Sequence, residues 1–215
     1  MLHYHTLSVT SFQQNCSIVW CSETKEAAII DPGGEAARIE AALHKLGVAA
    51  RHIWLTHGHI DHVGGAGALA HTLGIPIIGP HEADAFWLDA LAQQAAAFGF
   101  EEAAQPFTPS RWLREGDTLT LGHSTVTVHH TPGHTPGHVI FHAPEAACAF
   151  VGDVLFAGSI GRTDFPGGSY PTLLASIRQR LWPLGDATRF IPGHGPEGTL
   201  GHERLHNPFV GEGAA

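Results

Sequence analysis

The sequence predicts an α/β (α+β) layered domain built on mixed β-sheets. Three observations lead there. Short apolar or β-branched runs alternate with stretches of helical periodicity along the whole chain. Several of the strands follow one another closely enough to pair as hairpins. No Ser/Gly linker, composition break or repeat interrupts the pattern, so residues 1–215 read as one domain.

Leu2–Val9, Ser17–Cys21 and Ala27–Ile30 read as strands, closed by the turn Asp31-Pro32-Gly33-Gly34. Ala36, Ile39, Leu43 and Leu46 then recur at helical spacing, with Gly47 where a C-terminal cap belongs. His52–Leu55 reads as a strand, His62–Leu73 as an Ala- and Gly-rich helix ending at Gly74, and Ile75–Ile78 as another strand. His81–Phe98 has a helical pattern, with Phe86, Leu88, Leu91 and Ala95 near one face. Across 81–112, the aromatics Phe86, Trp87, Phe98 and Phe100 could wall a pocket or simply form core, with core packing the expectation, and Pro106–Trp112 is irregular. Leu119–Leu121, Thr125–His129, Val139–Phe141, Cys148–Val151 and Arg189–Ile191 read as strands. Leu173–Trp182 reads as a helix stopped by Pro183, and the tail to Ala215 as Gly-rich and polar at its end.

Composition narrows the function. The formal charge is −9, and only 11 Lys and Arg are scattered along the chain. A nonspecific nucleic-acid binder needs a basic cluster, so no nucleic-acid partner is expected. No apolar run reaches membrane-spanning length, and the N-terminus lacks the layout of a signal peptide. Cys16, Cys21 and Cys148 form no CxxC pair and no disulfide framework. These features lead to the expectation of a cytoplasmic protein. Histidine is the outlier at 18 residues, and it is the commonest metal ligand.

His57, His59, Asp61 and His62 form an HxHxDH motif between a strand and a helix. In extended chain, residues i and i+2 point the same way, so His57 and His59 can grip one ion. Asp61 and His62 begin the next turn and can reach a second. Gly58 lets the loop fold tightly. Three further strands end in the same manner, leading into Pro132-Gly133-His134, Gly152-Asp153 and Pro192-Gly193-His194. Strand ends on one rim can converge on one site. The expected sets are His57, His59 and His134 for one ion, Asp61, His62 and His194 for the other, and Asp153 between them. Three protein ligands and an open position are the pattern of a catalytic metal. His138 is expected to support the site rather than bind. His129 and His130 are expected in the core or on the surface.

With these residues in hand, the chain resembles the metallo-β-lactamase superfamily. Thr56-His57-Gly58-His59-Ile60-Asp61-His62, Thr131–His138, Phe150–Asp153 and Ile191–Gly195 occur in that family's order over nearly the whole chain. The resemblance implies a four-layer αββα sandwich with the metals at one edge of two sheets. Gln14-Asn15-Cys16, Gly158–Gly168 and Glu203–Phe209 resemble short type II glyoxalases, which are hydroxyacylglutathione hydrolases. That likeness implies metal ligands at His57, His59, Asp61, His62, His134, Asp153 and His194. The longer members carry a C-terminal helical domain for glutathione contact, for which this chain has no room.

The expected reaction is thioester hydrolysis, with S-lactoylglutathione as the leading substrate. Two divalent ions, zinc first and iron or manganese as alternatives, would lower the pKa of a bound water to around 7. Asp61 would orient that water as the catalytic carboxylate. Arg162 is the candidate for a substrate carboxylate through a bidentate pair, with an equally weighted alternative as a loop brace on Asp164. Two rival activities use the same residues. One is a glutathione-dependent persulfide dioxygenase with a single iron on His57, His134 and Asp153. The other is hydrolysis of lactones or further acyl groups.

Overall fold

The computed structural model describes residues 1–100 and 104–214. Strands β1 (Leu2–Val9), β2 (Gln14–Cys21), β3 (Glu26–Ile30), β4 (Ala49–Trp54) and β5 (Ile77–Ile78) form one sheet in that order. The first three are antiparallel, and β3, β4 and β5 are parallel. The second sheet has the order β13-β12-β9-β8-β7-β6. Its strands are β6 (Thr118–Leu121), β7 (Ser124–His130), β8 (Val139–Ala143), β9 (Cys148–Gly152), β12 (Arg189–Pro192) and β13 (Gly198–Thr199). A two-stranded hairpin, β10 (Leu155–Phe156) and β11 (Ser159–Ile160), lies between β9 and β12 in sequence.

Near-continuous apolar runs fit these strands because both faces of each sheet are covered. Side chains alternate between faces along a strand. Ile18, Ile29 and Ile53 therefore enter one core with Ile39, Leu43 and Leu69. Their neighbours Val19, Ile30 and Trp54 enter a second core, between the sheets, with Val128, Phe141 and Phe150. On the far side, Ile140, Ala149 and Val151 pack with Leu173, Ile177 and Leu200. Three cores between helices, sheet, sheet and helices make the expected four-layer αββα sandwich.

Helix α1 (Ala36–Leu46) follows the anticipated periodicity and ends at Gly47, whose φ of 64° is left-handed. Other boundaries correct the sequence reading. The stretch read as one helix over His62–Leu73 is two, α2 (Ile60–Val63) and α3 (Ala66–Leu73). The Gly65 N–H donates to Pro32 O at 3.0 Å instead of continuing the helix. The stretch His81–Phe98 is also divided, into α4 (Ala85–Asp89) and α5 (Leu91–Phe98) after a short turn. Here Ala90 N donates to both Phe86 O and Trp87 O, at 3.1 and 3.2 Å, closing α4, and the Gln94 side-chain amide also donates to Trp87 O at 2.8 Å. Residues 101–103 of the segment 81–112 lie outside the described residues.

Helix α6 (Tyr170–Ser176) starts three residues before Leu173, with Pro171 in its first turn, and runs on into a π-helical stretch, Ile177–Leu181. The tail read as merely polar contains α7 (Leu200–His206). Thr199 caps it by accepting the His202 N–H, and Leu200 anchors it in the third core. Its buried Glu203 accepts from Gly158 N at 2.9 Å and Asn207 donates to Ser159 O at 3.0 Å, so α7 braces the β10–β11 hairpin. Among the described residues, no helix is long and apolar enough to cross a membrane.

Candidate metal centre

Strand direction explains why distant motifs meet. Strands β7 and β9 are both antiparallel to β8, so they run the same way, and β12 is parallel to β9. The residues that follow them, at 131–134, 152–153 and 192–194, therefore emerge at one rim. Parallel β3 and β4 deliver Asp31 and Thr56–Asp61 to that same rim. The two sheets are joined there, with Asn15 N donating to Gly193 O at 2.7 Å and Val139 N to Thr56 O at 2.8 Å.

All seven side chains expected at the site converge. Donor atoms of His57, His59 and His134 lie within 4.8 Å of one another, as do those of Asp61, His62 and His194. Asp153 lies between the groups. Its Oδ1 is 3.2 Å from His62 Nε2, and its Oδ2 is 3.6 Å from His134 Nε2 and 3.7 Å from His194 Nε2. Close approach is bought with glycine: a Cβ at Gly58 would clash with Trp87, and one at Gly193 would clash with Asp153 and His62.

Outer hydrogen bonds fix which nitrogen of four of the imidazoles faces inward. His134 Nδ1 donates to Arg162 O at 2.7 Å, and His194 Nδ1 to Phe12 O at 3.2 Å. His62 Nδ1 donates to Asp31 Oδ2 at 2.9 Å. Thr56 gives its hydroxyl proton to the same Asp31 oxygen at 2.6 Å, so Thr56 Oγ1 accepts from His57 Nδ1 at 3.0 Å. These four rings turn Nε2 into the site, whereas His59 has no such outer bond and presents Nδ1 to His134 Nε2 at 2.9 Å. The consequences are unfavourable without a cation. His194 Nε2 must carry a proton to pair with Asp61 Oδ2 at 3.0 Å; burial disfavours that charge, but the Asp61 bond outweighs it and holds the imidazole above its usual range. His57 Nε2, His59 Nε2, His62 Nε2 and Asp153 Oδ1 are buried with no hydrogen-bond partner. Buried lone pairs and carboxylates left in this state fit a divalent cation.

Charge follows the same logic. Burial, reinforced by the neighbouring imidazoles, holds His57 well below the usual histidine range. Burial also raises the cost of charge on Asp153, but His62 and His134 outweigh it and keep the carboxyl well below its ordinary value. Burial likewise holds His59 and His134 below the histidine range, whereas at His62 and His194 the carboxylates of Asp153 and Asp61 outweigh burial and hold the imidazoles above it, so a cation would displace protons from those two rings.

Two supports were not anticipated, and one was. Asp31, read only as a turn residue, is a buried acceptor shared by both imidazole groups. Asp84, within a stretch read as helix, is fully buried. It accepts from Gly58 N at 2.9 Å, Thr135 Oγ1 at 2.8 Å and Gly137 N at 2.6 Å, tying the His57–His59 loop to the His134 loop. His138 is turned away from the centre: its Nε2 accepts the Asp153 N–H at 3.1 Å and its Nδ1 donates to Thr131 Oγ1 at 3.2 Å. His129 pairs with Glu115 and His130 stacks on His81, away from the centre.

A cavity of about 510 Å³ opens above the centre. Its floor includes His59, Asp61, His134, Asp153 and His194, and its walls include Phe12, Trp87, Phe98, Phe156 and Phe165. Both alternatives for these aromatics are met: Trp87 and Phe98 line the cavity, while Trp87 is also buried and Phe98 is half exposed. Arg162 is on the rim. Its Nε and Nη2 donate to Asp164 at 2.7 and 2.6 Å, and its guanidinium lies 4.1 Å from the Phe165 ring centre.

An αββα sandwich whose sheet rim gathers two His/Asp groups around one carboxylate defines a metal-dependent hydrolase class. The chain belongs to the Metallo-beta-lactamase superfamily, whose family profile matches residues 9–194. It is 47% identical over 210 residues to hydroxyacylglutathione hydrolase GloC of Haemophilus influenzae, covering 97% of this chain and 98% of that protein. The BLEG-1 B3 metallo-beta-lactamase superposes with a TM-score of 0.89 at 36% identity, covering 97% of this chain and 99% of that one. TTHA1623, solved in a di-iron-bound form, gives a TM-score of 0.87 at 39% identity, with 96% and 100% covered.

Proposed function

We propose that this protein hydrolyses thioesters at a two-metal centre, with S-lactoylglutathione as the leading substrate. The reading is carried by two separate donor groups facing a shared Asp153. The 47% identity to a hydroxyacylglutathione hydrolase supports the choice of substrate class. His57, His59 and His134 would hold one ion, Asp61, His62 and His194 the other, and Asp153 would bridge them. Zinc fits a His/Asp set, as do iron and manganese.

When bound, such ions supply an activated water and draw electron density from the thioester carbonyl. The chain's own groups do the rest. Asp61, at the cavity floor, accepts a hydrogen bond from the attacking water and aims it at the carbonyl carbon. Asp31 keeps His57 and His62 presenting Nε2. The aromatic walls exclude bulk water and strengthen the electrostatics below them. The thiolate leaves with a parent pKa of about 8.5, so departure needs no strong general acid. Arg162 keeps Nη1 outside its pair with Asp164, and we assign that donor to a substrate carboxylate at the rim. The three cysteines are free and buried, which suits the reducing cytoplasm we propose as its setting.

Arg162→Ala is expected to raise KM for S-lactoylglutathione about threefold while leaving kcat near its starting value, because an exposed, already paired guanidinium adds little binding. An unchanged KM would leave Arg162 as a loop brace only. The activity itself is tested by steady-state hydrolysis of S-lactoylglutathione beside an oxygen electrode. Thioester loss without oxygen uptake is the expected result. Persulfide-dependent oxygen uptake would replace this reading with an iron dioxygenase on His57, His134 and Asp153. Cleavage of lactones or β-lactams in preference to thioesters would reassign the acyl group.

A further inference from the structure

The cavity walls are more selective than the metal centre beneath them. Trp87 and Phe165 pack on His59, with ring centroids 4.6 and 5.1 Å away, so aromatic surface begins directly beside one donor group. Phe156 lies 6.3 Å from the His194 ring and does the same beside the other. Phe98, itself 6.1 Å from Phe165, extends the wall outward and is half exposed. The acyl substituent is bonded to the reacting carbon. Aromatic rings border both donor groups, so either orientation of the thioester across the centre brings that substituent near one of them.

Beyond the groups that face the centre and the hydroxyl of Ser159, polar recognition in the cavity is largely used up. Gln94 lines it, but its oxygen accepts from Ile60 N at 3.0 Å and its amide donates to Gly58 O and Trp87 O at 3.2 and 2.8 Å. Arg162, the one Lys or Arg among the cavity's lining residues, has its charge paired with Asp164. A lactoyl group offers only a methyl to this wall. Glutathione offers two carboxylates, which meet a single, already paired cation.

We propose that the site selects thioesters bearing a bulky apolar acyl group, aromatic or branched, over lactoyl thioesters. Apolar wall area, rather than charge on the thiol carrier, sets the preference. This inference rests on the thioester reading above and revises its substrate, placing bulkier acyl thioesters ahead of S-lactoylglutathione.

The test compares two glutathione thioesters that share the 2-hydroxyacyl group, one carrying methyl (lactoyl) and one carrying phenyl. On the metal-loaded enzyme, kcat/KM is expected to be about tenfold higher for the phenyl compound. Phe98→Ala, at a half-exposed position where the fold does not depend on the ring, is expected to cut that ratio at least about threefold. Binding is read separately with thioethers that cannot be cleaved: S-benzylglutathione should inhibit about tenfold more tightly than S-methylglutathione. Cleavage of both thioesters with lactoyl equal or better would overturn the inference and leave the hydrolase reading standing. Cleavage of neither would remove the thioester reading and the inference with it.

Discussion

Asp61→Asn is expected to lower kcat for thioester hydrolysis about a thousandfold, within the range for removing a group that orients the reacting water. Asparagine keeps the shape of the side chain but loses its charge. Its amide NH2 would face His194 Nε2, now 3.0 Å from Asp61 Oδ2, and cap the lone pair that this account assigns to a metal. Metal content should fall from two ions per chain towards one. In the metal-free protein burial disfavours the Asp61 charge, but His62 and His194 outweigh both burial and the repulsion of Asp153, so the substitution also removes a favourable charge contact. Loss of turnover with a modestly lowered metal-free Tm is therefore the expected pair of results. Turnover within tenfold of the parent would remove Asp61 from the reaction.

The largest effect on stability is expected at Asp84. Asp84→Ala leaves Gly58 N, Thr135 Oγ1 and Gly137 N buried without their acceptor. At about 1–3 kcal/mol for each unsatisfied donor, a loss of about 4 kcal/mol follows, which for a chain of this size lowers Tm by about 10 °C. The same change frees the His57–His59 loop from the His134 loop, so metal affinity should fall as well. The pH dependence has a definite sign. Burial pushes the Asp84 carboxyl up to about 6, against the pull of its three donors. The folded protein therefore holds this proton more tightly than the unfolded chain does. Between about pH 4 and 6 the folded state binds more protons, and the parent loses stability relative to Asp84→Asn as pH rises. The full difference is about 3 kcal/mol. Urea melts of the two proteins across that range check the slope; a parent that gains on the variant as pH rises would contradict it.

The candidate ligands were legible in the sequence because each stands immediately after an apolar strand, in a short segment with its own glycine. His57, His59, Asp61 and His62 sit together, and His134, Asp153 and His194 repeat the arrangement. The two sheets were legible through runs such as Ala27–Ile30 and Cys148–Val151, whose adjacent residues feed different cores. Supporting groups were not legible. Asp31 acts through Thr56 and His62, and Asp84 through Gly58 and Gly137, and nothing near either carboxylate marks such distant partners. The aromatic wall was half legible: Phe86, Trp87, Phe98 and Phe100 stood out, but helical periodicity over 81–98 assumes an unbroken helix and does not separate wall from core. Helix α7 is short and has Gly201 near its start; its readable signal was Thr199 as a cap, with Glu203 and Asn207 one turn apart.

The account stands on the convergence of buried lone pairs and carboxylates as a catalytic metal centre. The most direct measurement strips the protein with a chelator, then follows thioester absorbance of S-lactoylglutathione while zinc is added back. The predicted result is loss of hydrolysis on stripping and recovery as zinc is restored, saturating at two ions per chain. Undiminished hydrolysis by the stripped, metal-free protein would contradict it.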